Sequence, residues 1–134
     1  ASWIKTKLGN YITLDGDNFS GREQAQAPRF QYSVAADWYI TDSLTFNVSL
    51  QGKDEFYFSD GHNARSQRYE LLGARLNYQL SNWEFALWTR NALDQDIGVR
   101  GFYFGNDPRD GYEPHVYQQF AEPRRVGISA SYQF

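Results

Sequence analysis

Residues able to do chemistry are few in this chain, and they are scattered. The two histidines, His62 and His115, sit in polar stretches with no second ligand at metal spacing, so no metal or cofactor is expected. The run "DGDNFSG" has the oxygen-rich look of a calcium loop. Such a loop wants an oxygen ligand at its fifth position, glycine at its sixth and glutamate at its twelfth. Counted from Asp15, those places hold Phe19, Ser20 and Gln26, which excludes it. No nucleophile, base and orienting partner stand at a recognisable spacing, so no catalytic residue is assigned and the chain does not read as an enzyme. Two groupings could act without covalent chemistry. The stretch "GFYFGNDPRDGYEPHVYQQFAE" combines Phe102, Tyr103, Phe104, Tyr112, His115 and Tyr117 with Arg109. Rings to stack on a ligand and a guanidinium for an anionic group suit ligand capture, and they equally suit a loop packed on its neighbours. The second grouping is a row of charges, Arg29, Asp37, Lys53, Arg75, Glu84, Arg90 and Arg125, on the polar side of alternating segments. Arg75, Arg90 and Arg125 come from successive segments, which predicts a shared basic patch.

The elements that must carry these residues are strands. The first reads from about Ala1 to Ile12, with Ile4 and Leu8 opposite Lys5 and Lys7. In "RFQYSVAADWYI", Phe30, Tyr32, Val34, Ala36, Trp38 and Ile40 share one face, the period-2 signature of a strand with one apolar side. "LTFNVSLQGKDEFYFS" follows with Leu44, Phe46, Val48 and Leu50, then "RYELLGARLNYQL" with Leu72, Ala74, Leu76, Tyr78 and Leu80. "WEFALWTRNALDQD" continues with Trp83, Phe85 and Leu87, and "PRRVGISASYQF" closes with Val126, Ile128, Ala130, Tyr132 and Phe134. Short turns at Thr41–Ser43 and Ser81–Asn82 alternate with long polar loops near 15–28, 59–67 and 101–122. In an antiparallel meander this gathers the short turns at one end and the long loops at the other, the asymmetry of outer-membrane barrels. Ten residues at about 3.3 Å each and about 40° of tilt span about 25 Å, the height of a barrel's apolar band. Trp38, Tyr78, Trp83, Phe85, Tyr132 and Phe134 fall near the short-turn end of the apolar face, and Phe30, Tyr32, Phe56 and Phe58 near the long-loop end. Two belts of rings with aliphatic residues between them suit two membrane–water boundaries.

Composition is consistent with this. The chain has 134 residues, a net charge of −3, no cysteine and 18% aromatic residues. Nothing basic argues for nucleic acid, and there is neither a disulfide framework nor a thiolate site. Mean hydropathy is −0.68, but alternation hides a membrane barrel from averaged hydropathy. No signal peptide is visible, and the opening "ASWIKTKLGNYITL" already reads as strand. The natural start is therefore expected to be missing, through processing or truncation.

Three stretches carry a family likeness. "PRRVGISASYQF" resembles a closing strand in which Pro-Arg, a hydrophobic residue and Gly lead to an aromatic-x-Phe end. "WEFALWTRNALDQD" resembles a penultimate strand with an Arg-Asn-x-x-Asp signature, here Arg90, Asn91 and Asp94. "GREQAQAPRFQYSVAADW" resembles an external loop ending in Ala-Pro that enters an earlier strand. Together they resemble the C-terminal part of a TonB-dependent receptor, a plugged outer-membrane transporter of Gram-negative bacteria. Ala92 and Ile97 depart from the commoner Leu and aromatic residue, which bears on the subfamily. The resemblance implies an all-β, up-and-down meander of about six strands within a transmembrane barrel of about 22 strands. Single-chain bacterial barrels start at about eight strands, so the chain is expected to be one segment, with a plug domain and the part that engages TonB lying before residue 1. It further implies contact with outer-membrane lipid, with the rest of the barrel and plug, and with the barrel-assembly machinery, which would read Val126, Ile128, Tyr132 and Phe134. Arg75, Arg90 and Arg125 would face the lumen or plug. Phe102, Tyr103, Arg109, Tyr112 and His115 would contact the imported ligand, a scarce one such as a ferric siderophore. The competing readings are a small soluble or oligomeric β module with the apolar face as its core, and an enzyme on a small barrel, for which no residues are found.

Overall fold

The computed structural model describes all 134 residues, Ala1–Phe134, and contains no α-helix. Its strands are β1 (Ser2–Trp3), β2 (Phe30–Thr41), β3 (Leu44–Lys53), β4 (Tyr69–Leu80), β5 (Trp83–Arg90), β6 (Gly98–Phe104), β7 (His115–Phe120) and β8 (Arg125–Tyr132), with one 3-10 turn at Pro108–Asp110. A six-stranded sheet has the order β1-β2-β3-β4-β5-β8, and β6 and β7 form a separate two-stranded sheet. The chain divides into two compact units, one of Ala1–Gln31, Lys53–Tyr69 and Asp96–Ala121, the other of Tyr32–Gly52, Glu70–Gln95 and Glu122–Phe134.

The second unit is the meander. β-branched and aromatic residues favour its extended segments, and two-residue turns at 42–43 and 81–82 link β2 to β3 and β4 to β5. Ser81 takes a left-handed φ of 50° to close the second turn. Pairing sets which residues share a face. Leu76, Tyr78 and Leu80 of β4 lie opposite Leu87, Phe85 and Trp83 of β5, which in turn lie opposite Ile128, Ala130 and Tyr132 of β8. One face is thus apolar across three strands, as the alternation predicts. The rings at the short-turn end form a continuous cluster. Trp83 is stacked on Phe85 at 5.8 Å and lies 5.0 Å from Tyr132, whose ring meets Phe134 edge-on at 5.2 Å. This face is uncovered: Ile128 is 79% exposed, Val126 66%, Trp38 68% and Leu87 50%.

The first unit holds its own small core. Phe56, Tyr57, Phe58 and Ile97 are buried there, and this corrects two expectations. β3 ends at Lys53, so Phe56 and Phe58 are not girdle rings at the end of a long third strand. Residues 56–58 turn back and pair with 64–66 through Phe58 N to Ala64 O (3.1 Å), Ser66 N to Phe56 O (2.9 Å) and Phe56 N to Ser66 Oγ (3.0 Å). The two phenylalanines meet edge-to-face at 5.8 Å. The predicted first strand is also shorter: only Ser2–Trp3 is regular. Beyond it the chain still runs beside residues 17–29, through Ile4 N to Arg29 O, Leu8 N to Arg22 O and Phe19 N to Tyr11 O, but unequal lengths on the two sides break the ladder. The long loop predicted at 101–122 is in large part the β6–β7 hairpin. Phe58 lies flat on β6, where a Cβ at Gly101 would sit 2.2 Å from its ring, so only glycine admits that ring.

Candidate functional site

Two surfaces carry the residues singled out above, one on each unit. On the meander, the face opposite the apolar one presents Arg75, Trp88, Ala86 and Glu84, with Ser129 and Ser131 on β8. Gly127 sits directly opposite Trp88, and a Cβ there would come within 2.3 Å of the indole. Trp88 therefore lies across the sheet surface, which glycine alone permits. With Asn47, Ser49, Arg75 and Arg90 it lines a hollow of about 420 Å³.

The three arginines do share this face, but not as an unneutralised patch. Arg75 donates from Nε to Asn77 Oδ1 (2.6 Å) and lies 3.6 Å from Glu84. Arg125 pairs with Glu122 at 3.1 Å. Arg90 stands directly opposite Arg125, an unfavourable like-charge pairing, relieved by Glu122 on one side and by the Trp88 ring, 5.4 Å from the Arg90 guanidinium, on the other. The residues expected to be read by assembly machinery, Val126, Ile128 and Tyr132, lie along β8 opposite Thr89, Leu87 and Trp83, while Phe134 lies beyond its end and is exposed.

The signature residues Asn91 and Asp94 prove to be a clasp. Asn91 is buried, adopts φ 47°, donates to the Gln95 and Glu122 carbonyls (3.0 and 3.2 Å) and accepts from Gln95 N (3.1 Å). Asp94 accepts from Arg124 N at 2.9 Å and lies 3.4 Å from its guanidinium. Together they end β5 and fix the chain where β8 begins.

In the first unit the five candidate ligand residues do not converge. Pairing puts Phe102 opposite Tyr117 and Phe104 opposite His115, with Tyr103 on the other side of the hairpin opposite Val116. Phe104 and Tyr117 are stacked at 4.9 Å. Arg109 grips both oxygens of Asp107, and this pairing holds the Asp107 carboxyl below its usual range. An incoming anion would have to displace that carboxylate. His115 is likewise engaged, 2.9 Å from Asp110. Phe102, Tyr103 and Tyr112 remain exposed and are the members of the set free to stack on a ligand.

The residue that the sequence did not flag is Arg22. Its guanidinium donates to the carbonyls of Ser59 (2.9 Å), Asp60 (2.7 Å) and His62 (2.8 Å) and to Asn63 Oδ1 (3.0 Å). It also lies 4.3 Å from the Phe19 ring centroid and 4.2 Å from that of Tyr57. Arg65 sits 4.0 Å from the Tyr57 centroid and pairs with Glu55.

His62 completes the clasp around Arg22. Its Nδ1 accepts from Ala64 N at 3.2 Å, and its ring lies 5.9 Å from Tyr103. Burial lowers its pKa below the usual 6.5 and the Arg22 charge adds to this, while a hydrogen bond with the Gly101 backbone opposes it. A depressed histidine pKa means that the native loop favours the neutral ring. Its contribution is whole above the unfolded value of about 6.5 and is lost as pH falls through the lowered native one. Hydrogen exchange at the Ala64 amide, corrected for its intrinsic rate, is predicted to accelerate as pH drops below about 6.5. His62→Gln should flatten that dependence, and a pH-independent amide in the native chain would refute it.

No protein-family model matches the chain, and no solved structure matches it.

Proposed function

We propose that the chain is part of the barrel of a TonB-dependent outer-membrane receptor, whose intact form imports a scarce ligand such as a ferric siderophore. The observation that carries this reading is the uncovered apolar face of β4, β5 and β8, with its ring cluster confined to the short-turn end. Soluble proteins seldom leave so large a contiguous apolar surface open, and a sheet facing hydrocarbon needs one. In this reading the face meets outer-membrane lipid and the rings sit at the inner boundary. The two open sheet edges continue into the remaining strands of a barrel of about 22, because unpaired edge N–H and C=O groups are untenable in lipid. The opposite face, with Arg75, Arg90 and Arg125, looks into the lumen toward the plug. Phe102, Tyr103 and Tyr112 stand among the external loops, where ligand is first met.

The test is to refold the chain with and without detergent or lipid vesicles, following circular dichroism and solution mass. Ordered β structure that requires the amphiphile supports the reading. A monodisperse, well-ordered species in plain buffer would overturn it and favour a β module whose apolar faces cover one another.

A further inference from the structure

We infer that a cleft in the first unit is a binding site for a phosphate-bearing anion. This inference rests on local geometry and not on the transport reading. The cleft exists because two hydrogen-bonded segments part and rejoin. Ile4 N bonds Arg29 O and Leu8 N bonds Arg22 O. Between those contacts one side spends residues 5–7 and the other residues 23–28. The longer side cannot stay in the ladder. It is drawn instead toward residues 57–60, through Ala25 N to Asp60 Oδ1 (2.7 Å) and Gln26 N to Tyr57 O (2.9 Å), with Gln26 at φ 57°. What remains between the segments is a cavity of about 430 Å³, within the size range of small-molecule sites.

Its wall concentrates positive charge on a chain of net charge −3. Lys5, Lys7, Arg22, Arg29 and Arg65 line it, against the single carboxylate of Glu23. These cations are not equivalent. Arg29 is paired with Glu23, and Arg65 with Glu55. Arg22 is different, because the four oxygens it donates to are neutral amide oxygens. It is therefore held in place by four hydrogen bonds and makes no ion pair. Lys5 and Lys7 are exposed and make no ion pair. Arg22, whose terminal N–H groups are all spent on those amide oxygens, acts here through its charge alone. A fixed guanidinium charge with two exposed ammonium groups free to donate in the same wall suits a compact, multiply charged oxyanion. Trp3, also in the wall and largely exposed, offers apolar surface to whatever carries the phosphate. The same chemistry would take a free phosphorylated molecule or a phosphate monoester on a lipid headgroup.

Calorimetric titration of the full chain, in whichever of plain buffer or zwitterionic detergent keeps it monodisperse, decides the matter. The probes are inorganic pyrophosphate and dihexanoyl phosphatidic acid, with dihexanoyl phosphatidylcholine as the blank. Saturable pyrophosphate binding is expected, weakened about tenfold or more in the double variant Lys5→Gln/Lys7→Gln and by added salt, and unaltered in Arg100→Gln, an exposed arginine outside the cleft. Because the Lys5 and Lys7 side chains are exposed and make no ion pair, the double variant should fold as the parent does, which circular dichroism verifies. Phosphatidic acid binding tighter than pyrophosphate identifies the headgroup source; weaker binding identifies the free anion. No saturable binding of either probe, or equal affinity in the double variant, overturns the inference.

Discussion

On the proposed membrane reading, Leu87→Arg is expected to lower the stability of the lipid-folded chain by about 2–4 kcal/mol, and Leu80→Arg by only about 0–1 kcal/mol. Both residues lie on the apolar face, Leu87 opposite Ile128 and Leu80 opposite Trp83. They differ in depth. Leu80 is at the short-turn end, among the rings, where a long cationic side chain reaches the headgroups. Leu87 stands four residues up β5 from Trp83, about 10 Å along the membrane normal at the usual rise and tilt. That is close to the middle of an apolar band about 25 Å tall. With that face in lipid, a guanidinium there would have no water within reach. Denaturant titration in vesicles gives both numbers. If the face is wet, each change stays within about 0.5 kcal/mol, as surface substitutions do. Equal large losses at both positions would mean a protein partner covers the face. Only the gradient belongs to lipid.

That face was the most legible part of the molecule. Uninterrupted alternation from Phe30 to Ile40 and from Leu72 to Leu80 leaves one choice of side, because a one-residue slip would turn every apolar residue to the wrong face. The failures share a different cause. Phe56 and Phe58 keep the period of β3, but their partners are residues 64–66 of the same loop, and periodicity says nothing about which neighbour a ring will meet. In β6 the consecutive rings Phe102, Tyr103 and Phe104 carry no alternation, so a hairpin there reads as loop. Trp88 on the polar face had one signal available, the glycine at position 127 inside an otherwise regular strand, which marks a close approach. Asn91 and Asp94 read as a signature, while their work as a clasp depends on the carbonyl of Glu122 and the amide of Arg124, some thirty residues on in the sequence. Arg22 gave no signal at all, since three of its four acceptors are backbone carbonyls, which every residue possesses.

Arg22→Ala should therefore have the largest effect of any single change in the first unit, about 3–5 kcal/mol. The side chain crosses from its own segment to a loop some forty residues on. Its removal leaves the part-buried carbonyls of Ser59, Asp60 and His62 without their charged donor and opens a gap beside the Phe19 and Tyr57 rings. Each hydrogen bond to a charged donor contributes about 1.5–3 kcal/mol, and water entering the gap recovers part of that. Arg22→Lys should restore little, because an ammonium has three donors from one point and cannot span acceptors on four residues. Amide hydrogen exchange reads the result by region. Protection across residues 57–66 is expected to fall about a hundredfold or more, while the amides of β4 and β5, whose pairing partners are β3, β8 and each other, keep theirs. If β4 and β5 lost protection to the same degree, the two units would unfold as one and Arg22 would hold the whole chain. Unchanged protection at 57–66 would mean that the loop is ordered by Phe56 and Phe58 alone, with the guanidinium merely resting against it.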